Sequence, residues 1–467
     1  MRINVNKGLS VLVVLANLLF LSNANAVNWL MLQGVTDEPY PLVWGFLQPS
    51  YVKTPGSTLS MGGWQGQQAL ANVIQPDLSS SKVFQIQRAR VGIRGALPDA
   101  EAISYFVLAE FGNNGITEPG GGDGRVTLTD ASITFSQIKG ARFRVGQMKI
   151  PMSEEIYQGV MAENYINLTT LANQQLIERP FWTDGLTNCI ITTPPGASSQ
   201  QYLRFCNGGQ DTQFRSSVVP GSDVGIQVFD SFRKGDWEHS YALLIGQGGI
   251  SKDNRDDSLD NTLYWSSERI FGGQKAMQKG YKIYAWRTTG KRIIYDSSLL
   301  VAGSSLEDAQ QKYDRKLSGV GATYFDGKYR AAAEFTRVDG MLFVGSTFGA
   351  IPGSLNNTGT AVAQFRTQPE GKGDGGYLDF GYRIKSDIEL DIRYDWYNRA
   401  TNLTDFDEMQ FKTWTLGAQY FFTSTTKLIV NYEKREAKDP KVASSHIINV
   451  LADDMDNRVS AQVFLLF

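Results

Sequence analysis

The sequence predicts an all-β fold: a transmembrane, antiparallel, up-and-down β-barrel of about sixteen strands, with long external loops and short periplasmic turns. Three observations predict it. Strand-like alternation recurs from near residue 43 to the last residue. The gaps between the alternating segments are long and short by turns. Each segment has one apolar face and one polar or charged face.

Sixteen candidates fall near 43–53, 82–95, 102–112, 126–136, 141–150, 221–231, 237–247, 261–271, 280–290, 316–326, 328–338, 375–385, 387–397, 409–422, 426–434 and 456–467. Long gaps such as 54–81, 113–125 and 151–220 alternate with short ones such as 96–101, 137–140 and 232–236. A soluble sandwich has no reason to keep that asymmetry, whereas a membrane barrel keeps short turns on one side and long loops on the other. An even strand number then puts both termini on the short-turn, periplasmic side. Helical patterns are confined to pieces around 152–164 and 304–312. The segment "YKIYAWRTTGKR" alternates poorly, and pairing part of 339–374 would raise the count to eighteen.

The faces are chemically distinct. In "DIELDIRYDWY", Ile388, Leu390, Ile392, Tyr394 and Trp396 oppose Glu389, Asp391, Arg393 and Asp395. In 411–422, Trp414, Leu416, Ala418, Tyr420 and Phe422 oppose Thr413, Thr415, Gly417 and Gln419. In "FQIQRARVGIRGAL", Arg88, Arg90 and Arg94 share one parity, and Ala89, Val91 and Ile93 the other. "ARFRVGQMKI" repeats this, with Arg142 and Arg144 against Phe143 and Val145. A guanidinium facing hydrocarbon at the midplane costs roughly 2–4 kcal/mol. The arginines therefore belong inside, against water, and the register is strongly set.

The ends of the chain agree. "MRINVNKGLSVLVVLANLLFLSNANA" has Arg2 and Lys7 before an apolar run at 9–21, and Ala24-Asn25-Ala26 is a small-x-small cleavage site. It reads as a secretory signal peptide over 1–26, leaving 27–467 as the barrel. The run is shorter than the roughly 20 residues of a spanning helix. In the last segment, Val459, Ala461, Val463, Leu465 and the terminal Phe467 share a face. The chain is 12% aromatic with 47 Gly and a formal net charge of −2, at a mean hydropathy of −0.25. Near-neutral charge argues against a nucleic-acid binder.

Cys189 and Cys206 lie in one Gly/Ser/Pro-rich stretch of the long segment 151–220. In an oxidising compartment a disulfide is favoured over two free thiols. No cofactor or metal is expected. With two His in the chain, neither near the cysteines, a zinc site lacks ligands. "SKDNRDDSLDN" at 251–261 lacks the Gly and terminal Glu of a calcium loop, and "GGGDG" at 120–124 lacks the strand-to-helix setting of a phosphate cradle. The acidic loop reads as a solvated external segment, or as a divalent bridge to lipopolysaccharide. An outer-membrane hydrolase is a remote reading, because His239 sits with Trp237 and Tyr241 on an apolar face and His446 has only adjacent serines.

"FQIQRARVGIRGAL", with "ISYFVLAEFG", "LTDASITF" and "ARFRVGQMKIPMSEE", resembles the phosphate-selective porin O/P family of Gram-negative outer membranes. The resemblance is clearest over residues 82–156, with "IERP" at 177–180 as a further point. It implies a homotrimeric outer-membrane porin that passes small solutes or ions by diffusion. It also implies that a long loop after an early strand folds inward. The candidate is 151–182, which is more apolar than a solvated loop and carries Glu154, Glu155, Glu163 and Glu178. Against a basic wall of Arg88, Arg90, Arg94, Arg142 and Arg144, these glutamates set a transverse field across the pore. The family's phosphate-selective members use arginines with central lysines, and 151–182 has no Lys cluster. Glu110 and Asp130 also point inward, so a structural lattice of paired charges stands beside the selectivity reading. A scaffold for a partner protein is the alternative from another class.

Overall fold

The computed structural model describes residues 40–54, 58–67, 82–112, 126–158, 163–178, 189–190, 205–206, 221–248, 258–273, 278–295, 310–346, 356–360, 365–403, 408–453 and 457–467. The expected leader, 1–26, lies outside them. The first barrel strands are β1 (Leu42–Lys53), β2 (Lys82–Leu97), β3 (Ala100–Glu110), β4 (Thr127–Phe135) and β5 (Arg142–Lys149). After a long connection come β8 (Ser222–Lys234), β9 (Trp237–Gly246), β10 (Asp260–Gly272), β11 (Lys279–Tyr295), β12 (Gln310–Phe325) and β13 (Tyr329–Asp339). The last are β16 (Lys372–Lys385), β17 (Ile388–Arg399), β18 (Met409–Phe421), β19 (Thr426–Lys438) and β20 (Arg458–Leu466).

These sixteen strands form one closed antiparallel barrel. Closure is made by β1 on β20, with Phe46 opposite Leu466 and Val52 opposite Ser460. Phe467 and Gly45 exchange both backbone hydrogen bonds at 2.9 Å. No lipid-exposed edge is left, which is the condition for strands to span a bilayer. Two further ribbons stand apart from the barrel sheet: β6 (Cys189–Ile190) with β7 (Phe205–Cys206), and β14 (Leu342–Ser346) with β15 (Phe365–Gln368). The pairing within 339–374 therefore does not enter the barrel, and the count stays at sixteen.

The alternation is realised as lipid-facing and lumen-facing rows. Val91, Ile93 and Val145 are exposed outward, while Arg88, Arg90 and Arg144 are buried inward. One bulge, between Gln48 and Pro49 of β1, resets the pairing from Arg88 to Ile86. Pro49 has no N–H to give to a ladder, so a bulge is where it fits. Gln87 thereby turns inward beside Arg88, and Phe84 and Ile86 turn outward. The poor alternation of "YKIYAWRTTGKR" also has a cause. Tyr284 and Trp286 face the lumen and are buried there. Tight turns join the strands on the other side, as at Gly327 (φ 96°), where Asp326 Oδ1 accepts from Lys328 N at 2.8 Å and Tyr329 N at 2.7 Å. Aromatic pairs mark that rim, among them Tyr329–Tyr382 and Trp237–Tyr281, both 5.2 Å apart. His239 belongs to it, with its ring 5.3 Å from that of Phe232 and 5.8 Å from that of Trp265.

The helical pattern at 152–164 gives one α turn, α1 (Glu154–Tyr157), and a π-helical turn follows at Ala172–Leu176. The pattern at 304–312 is corrected where it is described: 310–312 open β12, and the rest lies outside the described residues. A short helix, α2 (Ile447–Asp453), stands in the last long connection and was not anticipated.

Leu416, near the middle of β18, is exposed to the lipid side. Leu416→Arg is expected to destabilise the barrel by about 2–4 kcal/mol, measured by reversible urea unfolding in vesicles, whereas Thr415→Asn on the lumen side is expected to change it far less.

Candidate pore constriction

The segment after β5 turns into the lumen. Ile150 N donates to the Gly221 carbonyl at 2.9 Å, which closes the stem of the long connection. Met152, Tyr157, Leu171, Ala172 and Leu176 then pack with the lumen-facing Tyr264, Tyr284, Trp286, Leu317, Tyr397 and Phe411 in one buried cluster. At roughly 1.5–3 kcal/mol for each large apolar side chain removed from water, this packing is ample to hold the loop inside. It explains why 151–178 is too apolar for an external loop.

Hydrogen bonds from neutral loop groups to wall carboxylates add to the packing. Ser153 Oγ donates to Glu334 at 2.9 Å, and Tyr165 OH to Asp379 at 2.6 Å. Asn167 Nδ2 donates to Glu433 at 2.9 Å, and Thr170 N to Asp395 at 3.1 Å. The β14 ribbon clasps the outer part of the loop: Gln175 Nε2 donates to the Phe343 carbonyl at 2.9 Å, and Phe343 N donates back to Gln175 Oε1 at 3.2 Å.

The four glutamates of the loop meet cations from several walls rather than one. Glu163 pairs with Arg88 at 2.9 Å, Glu154 with Lys282 at 2.6 Å, and Glu155 with Arg393 at 3.3 Å. Glu178 pairs with Arg292 at 2.5 Å and lies 3.7 Å from Arg315. The expected field between a loop of one sign and a wall of the other is therefore corrected. The loop leaves β5 and crosses to the far strands, so most of its carboxylates meet the cations of β11, β12 and β17. Arg90 pairs instead with Glu110 at 2.8 Å and Arg142 with Asp230, while Arg144 stacks 4.4 Å from the Phe229 ring. Arg94 lies on the same inward row, half-buried.

Burial raises the Glu155 carboxyl above its ordinary range, and Arg393 and Thr169 pull the other way. Burial also acts upward on Glu178, but Arg292 and Arg315 outweigh it and hold this carboxyl at about 2.

Beside the loop lies a cavity of about 200 Å³, bounded by β2, β10–β13 and β16–β19. Arg88, Lys282, Arg330, Arg383, Arg393 and Lys427 line it, together with Glu154, Glu155, Glu163, Glu268, Asp379 and Glu389. Five of the six cations are in ion pairs: Arg330 meets Asp379, Asp391 and Glu389, and Arg383 meets Glu389 at 2.9 Å. Lys427 differs. Its Nζ donates to the Glu163 carbonyl at 2.5 Å and to Gln419 Oε1 at 2.9 Å, and among the described residues no carboxylate lies at salt-bridge distance.

Sequence reasoning missed Lys282, Arg330, Arg383 and Lys427 as cavity residues. Arg393 was legible, because it already stood on the inward face of "DIELDIRYDWY". Lys282 has the parity of Tyr284 and Trp286, and that signal was hidden by two aromatic neighbours. The described residues hold no group of three or more His, Cys, Asp or Glu placed for a metal ion.

A closed sixteen-strand barrel with lipid outside, paired charge inside and a loop narrowing the lumen defines an outer-membrane porin. The chain belongs to the phosphate-selective porin O and P family, whose model matches residues 67–462. Among solved structures, it is similar to the Salmonella typhi OmpF complex with daunomycin at 12% identity and a TM-score of 0.50, over 92% of this chain and 98% of that one. It is also similar to an anion-selective porin from Comamonas acidovorans (11% identity, TM-score 0.46, 92% and 99% covered). A third is the outer membrane channel DcaP of Acinetobacter baumannii (12%, 0.46, 91% and 97%). Comparison with curated protein sequences gives no match. The Gram-negative outer membrane is accordingly its location.

Arg292→Ala removes the main cation holding Glu178 down. A carboxylate with a lowered pKa contributes stability above its ordinary value of 4.5, and that contribution is lost as pH falls toward about 2. In the variant, the acid-induced change in open-channel current is expected to move from near pH 2 toward 4.5, read from conductance between pH 6 and 2.

Proposed function

We propose that this porin passes small hydrophilic solutes and ions by diffusion, with a modest preference for anions, phosphate among them, set mainly by Lys427. One observation carries the preference. Lys427 is the cavity-lining cation whose acceptors are both neutral. An ammonium has three donors, so one donor remains for a passing anion. The other cavity cations are offset by carboxylates, which is why the preference is modest. Arg88, Glu154, Glu155 and Glu163 we assign to the pore lining. Arg90, Arg94, Arg142, Arg144 and Glu178 we assign to the lattice that stiffens the wall and the loop's outer end.

The same reading includes a homotrimer, removal of the leader over 1–26, and contact with outer-membrane lipid and lipopolysaccharide. The loop and the β14 ribbon already occupy much of the lumen. That supports a channel over a sheath for a partner protein. His239 in the aromatic rim and His446 in the last long connection support a channel over a hydrolase.

A unit charge 4 Å away is worth about 1 kcal/mol even in water, so Lys427→Gln is expected to lower the anion-to-cation permeability ratio roughly fivefold. Reversal potential in a planar bilayer under a KCl gradient reads this; an unchanged ratio would remove Lys427 from the account.

Cys189 stands directly opposite Cys206 in the β6–β7 ribbon. Opposed residues of an antiparallel pair have Cα atoms roughly 4.5–5.5 Å apart, within the span a disulfide bridges. We infer that the two are joined. Alkylation of the unreduced, denatured protein is expected to add no mass, and prior reduction to allow modification at both.

A further inference from the structure

Glu334 of β13 is buried in the lumen with no cation at salt-bridge distance among the described residues, yet its carboxylate is surrounded by donors. Trp286 Nε1 donates to Oε1 at 2.9 Å, and Tyr284 OH to Oε2 at 2.9 Å. Ser153 Oγ and Glu154 N donate to the same Oε2 at 2.9 and 3.2 Å. The first two come from the rigid wall. The other two come from the constriction loop, at the point where it has left β5 and reached the opposite strands.

The wall is built to hold this carboxylate still. Gly321 and Gly319 of β12 are the register partners of Tyr284 and Trp286. A Cβ on Gly321 would stand 2.2 Å from the Tyr284 hydroxyl oxygen, and one on Gly319 would stand 2.4 Å from Trp286 Nε1. Two glycines thus clear the space in which two aromatic donors aim at one acceptor. Tyr377 OH adds a long contact to Oε2 from the wall at 3.5 Å, and the loop supplies the other donors. Both carboxyl oxygens are therefore engaged, one by the wall alone and the other by wall and loop together. Lys282 completes the anchor by taking the carboxylate of Glu154.

We propose that Glu334 is the positioning residue of the channel: it fixes the entry of the constriction loop and so keeps the pore at one constant width. It does not touch the passing solute. Its removal frees the loop stem while the barrel, closed by its own ladder, stays intact.

The test is the frequency of transitions between conductance levels in single-channel records of the full chain at fixed voltage. Glu334→Gln keeps the shape but turns an amide NH2 toward groups that donate. Transitions are expected to become more frequent by about tenfold, since leaving buried donors without their acceptor is enough to shift an equilibrium by that factor. Heat-modifiable migration on gels is expected to stay as in the wild type. Steady records with an intact barrel would overturn the proposal. Should Glu334→Gln fail to fold, Ser153→Ala decides, because it removes one loop donor to Glu334 and leaves the wall untouched. More frequent transitions than in the wild type support the positioning role. Records as steady as those of the wild type overturn it.

Discussion

Everything in this molecule depends on one constraint: within hydrocarbon, each backbone N–H and C=O must find a partner inside the protein. A sheet meets that only by closing, and here β1 closes on β20 through the final residue, Phe467. Closure divides the side chains into two rows. The outward row must be apolar, so the charged residues of the barrel strands have one place to go. The density of charge in the lumen is a consequence of the fold before it is a device for transport.

The lumen then faces its own problem. Charges crowded into a narrow space between low-dielectric walls are costly unless compensated. The protein compensates them at short range, with arginine and lysine from the wall against glutamate from the loop, and wall carboxylates against loop hydroxyls and amides. Apolar side chains complete the seating of the loop. The arrangement makes the constriction rigid and nearly neutral, and it leaves selectivity to the few groups that are oriented but not neutralised.

The barrel was legible in the sequence because period-2 alternation and the rhythm of the gaps are local signals. Val91 against Arg90, or Leu416 against Thr415, needs only parity. The infolding expected for 151–182 was also legible, and is seen at 151–158 and 163–178, from apolar residues such as Leu171 and Leu176 in a place where solvent should favour polar ones. What was hidden is non-local. No spacing in the chain joins Glu178 to Arg292, or Ser153 to Glu334. Those meetings follow from how far the loop reaches across a closed barrel. Aromatic residues inside the lumen, Tyr284 and Trp286, blurred one strand because they break the rule that the inner face is polar. The bulge at Pro49 shifted parity only locally, and the arginines above it kept theirs.

The most direct measurement is the conductance of the purified protein alone, reconstituted in a planar lipid bilayer in KCl. A barrel whose lumen is narrowed by its own loop and lined by compensated charge is expected to give discrete current steps, linear in voltage. Reconstituted protein with correct barrel migration and no current steps would contradict an open, water-filled path.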